Sequence, residues 1–210
     1  MKTLLQIQAS IFSDGGESSR LASQFVSRWQ ADNPGAEVIV RDLGREPIPH
    51  LTAERFQSFL AKPEERTPAQ HGVAGFSDNL IDELERAEVI VLGLPMYNFG
   101  VPSTLKAYFD HVARAGKTFK YTEKGPVGLL TGKKAIIFAT RGGLYAGTPL
   151  DTQTSYVRDF LRFLGISDVE FVYAEGLAMG DAPKSAALAR AAAETHALAS
   201  RFAPGIAIAA

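Results

Sequence analysis

The sequence predicts a doubly wound α/β fold: five parallel strands in the order 2-1-3-4-5 with helices on both faces. Two observations carry this. Short runs rich in Val, Ile and Leu alternate along the chain with segments whose apolar residues recur at helical spacing, the pattern of successive right-handed βαβ units. One of the runs, Glu88 to Leu94 (EVIVLGL), is almost wholly apolar, as befits a central strand covered by helices on both sides. At 210 residues, with no repeat and no linker-like stretch, residues 1–210 are expected to form a single domain.

Thr3 to Gln8 reads as the first strand, followed by a polar, glycine-containing loop from Ser10 to Ser18 and a helix carrying Leu21, Ala22, Phe25, Val26 and Trp29. Pro34-Gly35 stops that helix and introduces the second strand, Ala36 to Arg41. Residues 45–70, broken by Pro47 and Pro49, are expected to be irregular, with a short helix from Thr52 to Leu60. Phe76, Leu80, Leu84 and Ala87 mark the helix before the third strand, Glu88 to Leu94. Pro102 then opens a helix bearing Leu105, Phe109 and Val112. Gly116 to Gly132 reads as a small hairpin or another ordered excursion. Lys134 to Thr140 is the fourth strand and Val169 to Ala174 the fifth. The helix between them holds Val157, Phe160, Leu161 and Leu164, and the last helix holds Leu188, Ala192, Leu198 and Phe202.

Composition narrows function. Lys and Arg number 22 against 23 Asp and Glu, so the net charge of -1 gives the chain no overall attraction to nucleic acid or an anionic membrane. The absence of cysteine removes disulfides, thiolate ligands and a cysteine nucleophile, and agrees with a cytoplasmic setting. His50, His71, His111 and His196 lack metal-ligand spacing, so no metal is expected. Neither Val89 to Met96 nor the tail Gly205 to Ala210 approaches the roughly 20 apolar residues of a membrane span. Neither G-x-G-x-x-G, a phosphate-binding P-loop nor G-x-S-x-G occurs.

In a 2-1-3-4-5 sheet the ligand crevice lies beyond the carboxyl ends of strands 1 and 3, so three loops matter. The first, SIFSDGGESS, supplies hydroxyls, Gly15-Gly16 and a helix N-terminus, the parts of an anion site that needs no cation; a plain helix cap by Ser18 or Asp14 is the alternative. The second, Met96-Tyr97-Asn98-Phe99, offers a thioether, two aromatics and an amide to a flat polar heterocycle. The third brings Thr140, Arg141, Gly142 and Gly143, whose backbone can approach a ligand edge closely.

These residues resemble the FMN-dependent NADH-azoreductases, relatives of the flavodoxin-like NAD(P)H:quinone reductases. The likeness runs through PMYNFGVPSTLKAYFD (95–110), ARAGKTFKYTEKGPVGLLTGKKA (113–135), TRGG (140–143) and LGISDVEFVYAEGLAMG (164–180). It implies that FMN phosphate is held by Ser10, Gly16, Glu17 and Ser18. The isoalloxazine would lie against Met96, Tyr97, Asn98 and Phe99, with Thr140, Arg141, Gly142 and Gly143 at its pyrimidine side. It further implies a homodimer with the flavin at the subunit boundary, where Tyr121 and Phe163 of one subunit would face the other's substrate pocket. The implied reaction is ping-pong hydride transfer from NADH or NADPH through flavin N5 to an azo compound or quinone, with no separate catalytic residue. Two departures stand out: Gly15-Gly16-Glu17 replaces a more Ser/Gln-rich turn, and Tyr145 stands where several relatives carry His, putting a phenol beside the substrate. A flavodoxin-type electron carrier is the alternative, but such carriers are more acidic and shorter, and the 113–133 block has no part in them. A bare five-stranded core needs roughly 150 residues, so segments 45–70 and 113–133 are expected to build the dimer and the pocket.

Overall fold

A computed structural model describes residues 2–202; the tail from Gly205 lies outside the described residues. The main sheet contains β1 (Thr3–Gln8), β2 (Glu37–Asp42), β3 (Val89–Pro95), β6 (Lys134–Thr140) and β7 (Asp168–Ala174), all parallel, in the order β2-β1-β3-β6-β7. Since β6 and β7 are the fourth and fifth strands of this sheet, the order is the predicted 2-1-3-4-5.

The side-chain period of two divides the core. On one face Leu4, Val89, Val91, Ile136, Phe138 and Val172 pack against Phe25 and Trp29 of α1 (Glu17–Asp32) and against α6 (Asp181–Ser200). On the other, Leu5, Ile7, Ile90, Leu92 and Ile137 meet α3 (Pro68–Arg86), α4 (Ser103–Val112) and α5 (Thr152–Leu164). Both faces are therefore covered, which is why β1 and β3 are buried along their whole length.

The segment expected to be irregular is more ordered than its prolines suggest. Thr52 caps α2 (Ala53–Leu60) by accepting the Arg55 amide at 3.3 Å. After a 3₁₀ turn at Pro63–Glu65, Thr67 and Gln70 form a capping box that starts α3 at Pro68, inside the stretch read as irregular. On α4, His111 is fully buried with Nδ1 3.1 Å from the Ala107 carbonyl, and burial pushes its pKa down.

The excursion before the fourth strand of the sheet is a hairpin: β4 (Phe119–Thr122) and β5 (Gly125–Gly128), antiparallel. It docks on the end of α5 through Phe119, whose ring centroid lies 4.3 Å from that of Phe163, and through a backbone approach at Gly128. A Cβ there would stand 2.0 Å from the Gly165 nitrogen, so only glycine allows the contact. No helix among the described residues is long and apolar enough to cross a membrane.

Candidate functional site

The loop after β1 is pinned at both ends and left open in the middle. Ser10 is buried, its Oγ accepting the Phe12 amide at 3.1 Å and lying 3.5 Å from Tyr97 Oη, which itself accepts the Ile11 amide at 3.3 Å. Asp42 at the end of β2 accepts the Ser13 hydroxyl (3.1 Å) and the Gly44 and Arg45 amides (2.9 and 3.2 Å). Neither of the side-chain caps offered as the alternative reading forms at α1. Asp14 instead accepts from Gln8 Nε2 at 3.1 Å and pairs with Arg45 at 2.6 Å, while the N-cap is Gly16, which has no side chain to offer. The amides of Glu17, Ser18 and Ser19 consequently have no acceptor among the described residues, and the fully buried Ser18 Oγ has no partner.

Buried donors left unpaired at the positive end of a helix dipole are a cost unless an anion satisfies them. The space for one is kept by Gly16, where a Cβ would lie 2.3 Å from Ser10 Oγ. Glu17 places a carboxylate in this first turn, and Lys184 (3.1 Å) and Arg20 (3.5 Å) pair with it.

The loop after β3 is a tight turn. Tyr97 and Gly100 exchange backbone hydrogen bonds (3.2 and 2.9 Å), and the two residues between them, Asn98 and Phe99, have φ of 50° and 63°. A two-residue turn of this hand requires positive φ at both centres. Asn tolerates it; a bulky Phe does not, and such residues cost of order 1–3 kcal/mol each. The compensation comes from the start of α5. The Thr152 hydroxyl donates to the Phe99 carbonyl, and Gln153 Nε2 donates to the carbonyls of Pro95 and Gly100, both at 2.9 Å. Phe99 is left half exposed, edge-on to Tyr145 with ring centroids 5.6 Å apart. A cavity of about 480 Å³ bordered by His50, Val101 and Tyr156 adjoins Gly100.

The loop after β6 turns its backbone in two directions. The carbonyls of Arg141, Gly142 and Gly143 accept the amides of Leu177, Ala178 and Gly176 (3.1, 3.0 and 3.0 Å), whereas the amides of Gly142 and Gly143 have no acceptor among the described residues. Thr140 is buried at the end of the strand.

Arg141, expected at the ligand, points the other way. Its side chain is fully buried, bonded to Asp151 (2.7 Å), Thr154 (3.0 Å) and Glu175 (3.2 Å) and lying 5.0 Å from the Tyr173 ring centroid. Its amide donates to the Ala174 carbonyl, so it builds the site without facing it. Burial acts to raise the Asp151 pKa, but hydrogen bonds from Arg141 and Thr154 prevail and hold it below the usual carboxylate range. Glu175 also accepts the amides of Tyr145 and Ala146, both at 2.8 Å, and this fixes the stretch that carries Tyr145. The Tyr145 phenol folds over Gly143, where a Cβ would lie 2.7 Å from Oη.

Ser10, Gly16, Glu17, Ser18, Met96 to Phe99 and Thr140 to Gly143 thus sit in or beside the three loops at the carboxyl ends of β1, β3 and β6. Tyr121 and Phe163 are gathered elsewhere, around Phe119: Tyr121 is 75% exposed on the hairpin and Phe163 is partly buried. Thr152, Gln153, Asp151 and Glu175 did not announce themselves in the sequence.

A sequence model of the family described as "Flavodoxin-like fold" matches residues 1–199. The chain is 56% identical over 190 residues to the FMN-dependent NADH:quinone oxidoreductase of Cellvibrio japonicus (strain Ueda107), covering 90% of this chain and 96% of that protein. It is 51% identical over 191 residues to FMN-dependent NADH:quinone oxidoreductase 6 of Burkholderia lata, covering 91% and 96%. Among solved structures, an FMN-dependent NADH-azoreductase from Bacillus anthracis str. Ames Ancestor in complex with FMN superimposes with a TM-score of 0.88 at 27% identity, covering 97% of this chain and all of that one.

Proposed function

The chain belongs to the family of flavodoxin-like fold whose model spans its first 199 residues, and from that membership we propose that it is an FMN-dependent NADH:quinone oxidoreductase that also reduces azo compounds. The observation that carries the reading is the meeting, at one crevice, of a cradle of donors suited to an anion and a shaped turn, with the Gly142 and Gly143 amides, which have no acceptor among the described residues, opposite. The unpaired amides of Glu17, Ser18 and Ser19 and the orphaned Ser18 hydroxyl suit a phosphate monoester, with Ser10 and Gly16 forming its wall. Met96, Tyr97, Asn98 and Phe99 would receive the ring system, and Thr140 with the Gly142 and Gly143 amides would meet its pyrimidine edge.

FMN held there would supply two-electron hydride chemistry between NADH and a quinone or azo substrate that take turns at one place. The chain's own residues bind, orient and exclude. Donors at the pyrimidine edge stabilise negative charge there and so raise the tendency to accept electrons. Phe99 and Tyr145, packed edge to face, would form one side of the crevice. Two copies of the chain are proposed to pair with the flavin at their boundary; the exposed Tyr121, Phe12 (69%) and Leu144 (62%) are apolar surface for that contact.

The test is anaerobic stopped-flow mixing of the FMN-loaded protein with NADH, then with menadione and with methyl red. Bleaching of the flavin by NADH and its recovery with each acceptor are expected. A protein that is colourless and takes up no FMN overturns the reading. Recovery only with a partner protein, never with either small acceptor, makes it an electron carrier.

A further inference from the structure

We propose that Gln153, helped by Thr152, is a positioning residue for the flavin site: the start of α5 imposes the left-handed Asn98–Phe99 turn and so fixes the wall the ring system packs against. The inference rests on the function proposed above. It names residues outside the three loops on which ligand contacts were expected.

Gln153 is fully buried although it is the second residue of a helix, where a glutamine ordinarily reaches solvent. Its single amide group gives hydrogen bonds to two carbonyls, Pro95 at the entry of the loop and Gly100 at its exit, each at 2.9 Å. Thr152 takes the carbonyl between them, that of Phe99. Three of the loop's carbonyls are thus oriented by two consecutive residues, and the stretch they bracket contains Asn98 and Phe99, the two residues with positive φ.

The arrangement is not what packing alone would select. Gln153 Oε1 has no partner among the described residues, so an apolar side chain of similar length would avoid an orphaned acceptor if filling space were the residue's role. The staple is itself anchored. Asp151, the N-cap of α5, accepts the Thr154 amide at 3.1 Å and the Arg141 guanidinium at 2.7 Å, tying the helix start to the end of β6. Gln153 therefore joins the second loop to the third and acts on the ring through Asn98 and Phe99.

The test compares wild type with Gln153→Met, Gln153→Glu, Thr152→Val and Val157→Ala. Val157 is fully buried in the same helix and serves as the control for lost stability. FMN affinity is read by quenching of flavin fluorescence as apo-protein is titrated, the environment of the bound ring by visible circular dichroism, and the turn itself by hydrogen exchange of the Gly100 amide in apo-protein. Gln153→Met is expected to weaken FMN about tenfold, equal to about 1.4 kcal/mol, to alter the flavin dichroism and to speed Gly100 exchange. Thr152→Val is expected to weaken FMN about fivefold, one neutral hydrogen bond. Val157→Ala should lower Tm and leave affinity and dichroism as in wild type.

Gln153→Glu supplies a signature that a structural role would not. Burial against two carbonyls raises the introduced carboxyl's pKa; protonated it donates to one of them, ionised to neither. Its FMN affinity should therefore fall as pH rises between about 5 and 9, while that of Gln153→Met follows wild type. Wild-type affinity, dichroism and exchange in Gln153→Met, or an equal loss of affinity in Val157→Ala, overturns the proposal. Wild type that takes up no FMN overturns the function instead, and Gly100 exchange still decides whether Gln153 holds the turn.

Discussion

The loop after β1 and the pair of loops after β3 and β6 open on the same crevice and are built on opposite principles. In the first, the amides of Glu17, Ser18 and Ser19 and the buried Ser18 hydroxyl have no partners among the described residues. In the other two, the carbonyls of Pro95, Phe99, Gly100, Arg141, Gly142 and Gly143 are bound to other parts of the protein, and the backbone is held in a form it would not keep alone. The difference follows from what each has to recognise. An anion is gripped by hydrogen bonds, so donors must be left free for it; a flat ring is gripped chiefly by shape, with only the Gly142 and Gly143 amides left for its edge, so the backbone must be rigid before it arrives. Ligand binding should accordingly stabilise the first region and find the second already formed.

The largest effect should come from the rigid half. Arg141→Met leaves the carboxylates of Asp151 and Glu175, 8% and 12% exposed, without their buried partner. A loss of about 3–5 kcal/mol is expected by urea denaturation, shrinking on acidification as the stranded carboxylates protonate. A loss below about 1 kcal/mol would mean that the network does not hold these loops. Next, Gly16→Val should close the open half: the added Cβ meets Ser10 Oγ at 2.3 Å and Cβ at 2.6 Å. FMN affinity in a fluorescence titration should drop about a hundredfold, near 2.8 kcal/mol, and unaltered affinity would show that the cradle lies elsewhere. The smallest and most discriminating change is Ser18→Ala. It removes an orphaned hydroxyl, so apo-protein Tm should hold or rise while FMN binds about fivefold more weakly. A fall in both would mean that Ser18 has a partner within the protein and that the two halves are less unlike than they look.

Most of the fold could be read from periodicity because the two signals that decide it, apolar runs and 3.6-residue spacing, are local. What could not be read was pairing at a distance. Arg141 directly follows the fourth strand of the main sheet and so reads as a ligand contact; its inward turn depends on Asp151 and Glu175, 10 and 34 residues away. Gln153 reads as an ordinary polar residue in a helix until the loop after β3 is laid over it. The start of α1 decides between two readings for a related reason: Ser18 and Asp14 are good capping residues, yet the helix starts at Glu17 behind Gly16, and Arg45 and Gln8 engage Asp14. The hairpin in 116–132 was only one of two forms the sequence allowed, since β4 and β5 are four residues each and depend on Gly128 meeting Gly165.

The register of the sheet has a consequence for the shape of the crevice. β1 makes its last pairing with β3 at Gln8 and Gly93, while β3 and β6 stay paired to Pro95 and Thr140. Two residues of extended chain are about 7 Å, so the floor is stepped: a lower tread where the β1 loop departs, an upper tread shared by the other two. Each tread hangs from different strands. Lengthening the β1 loop would reshape the lower one and leave the upper level, and changes around Phe99 or Tyr145 would resurface the upper one without disturbing the lower.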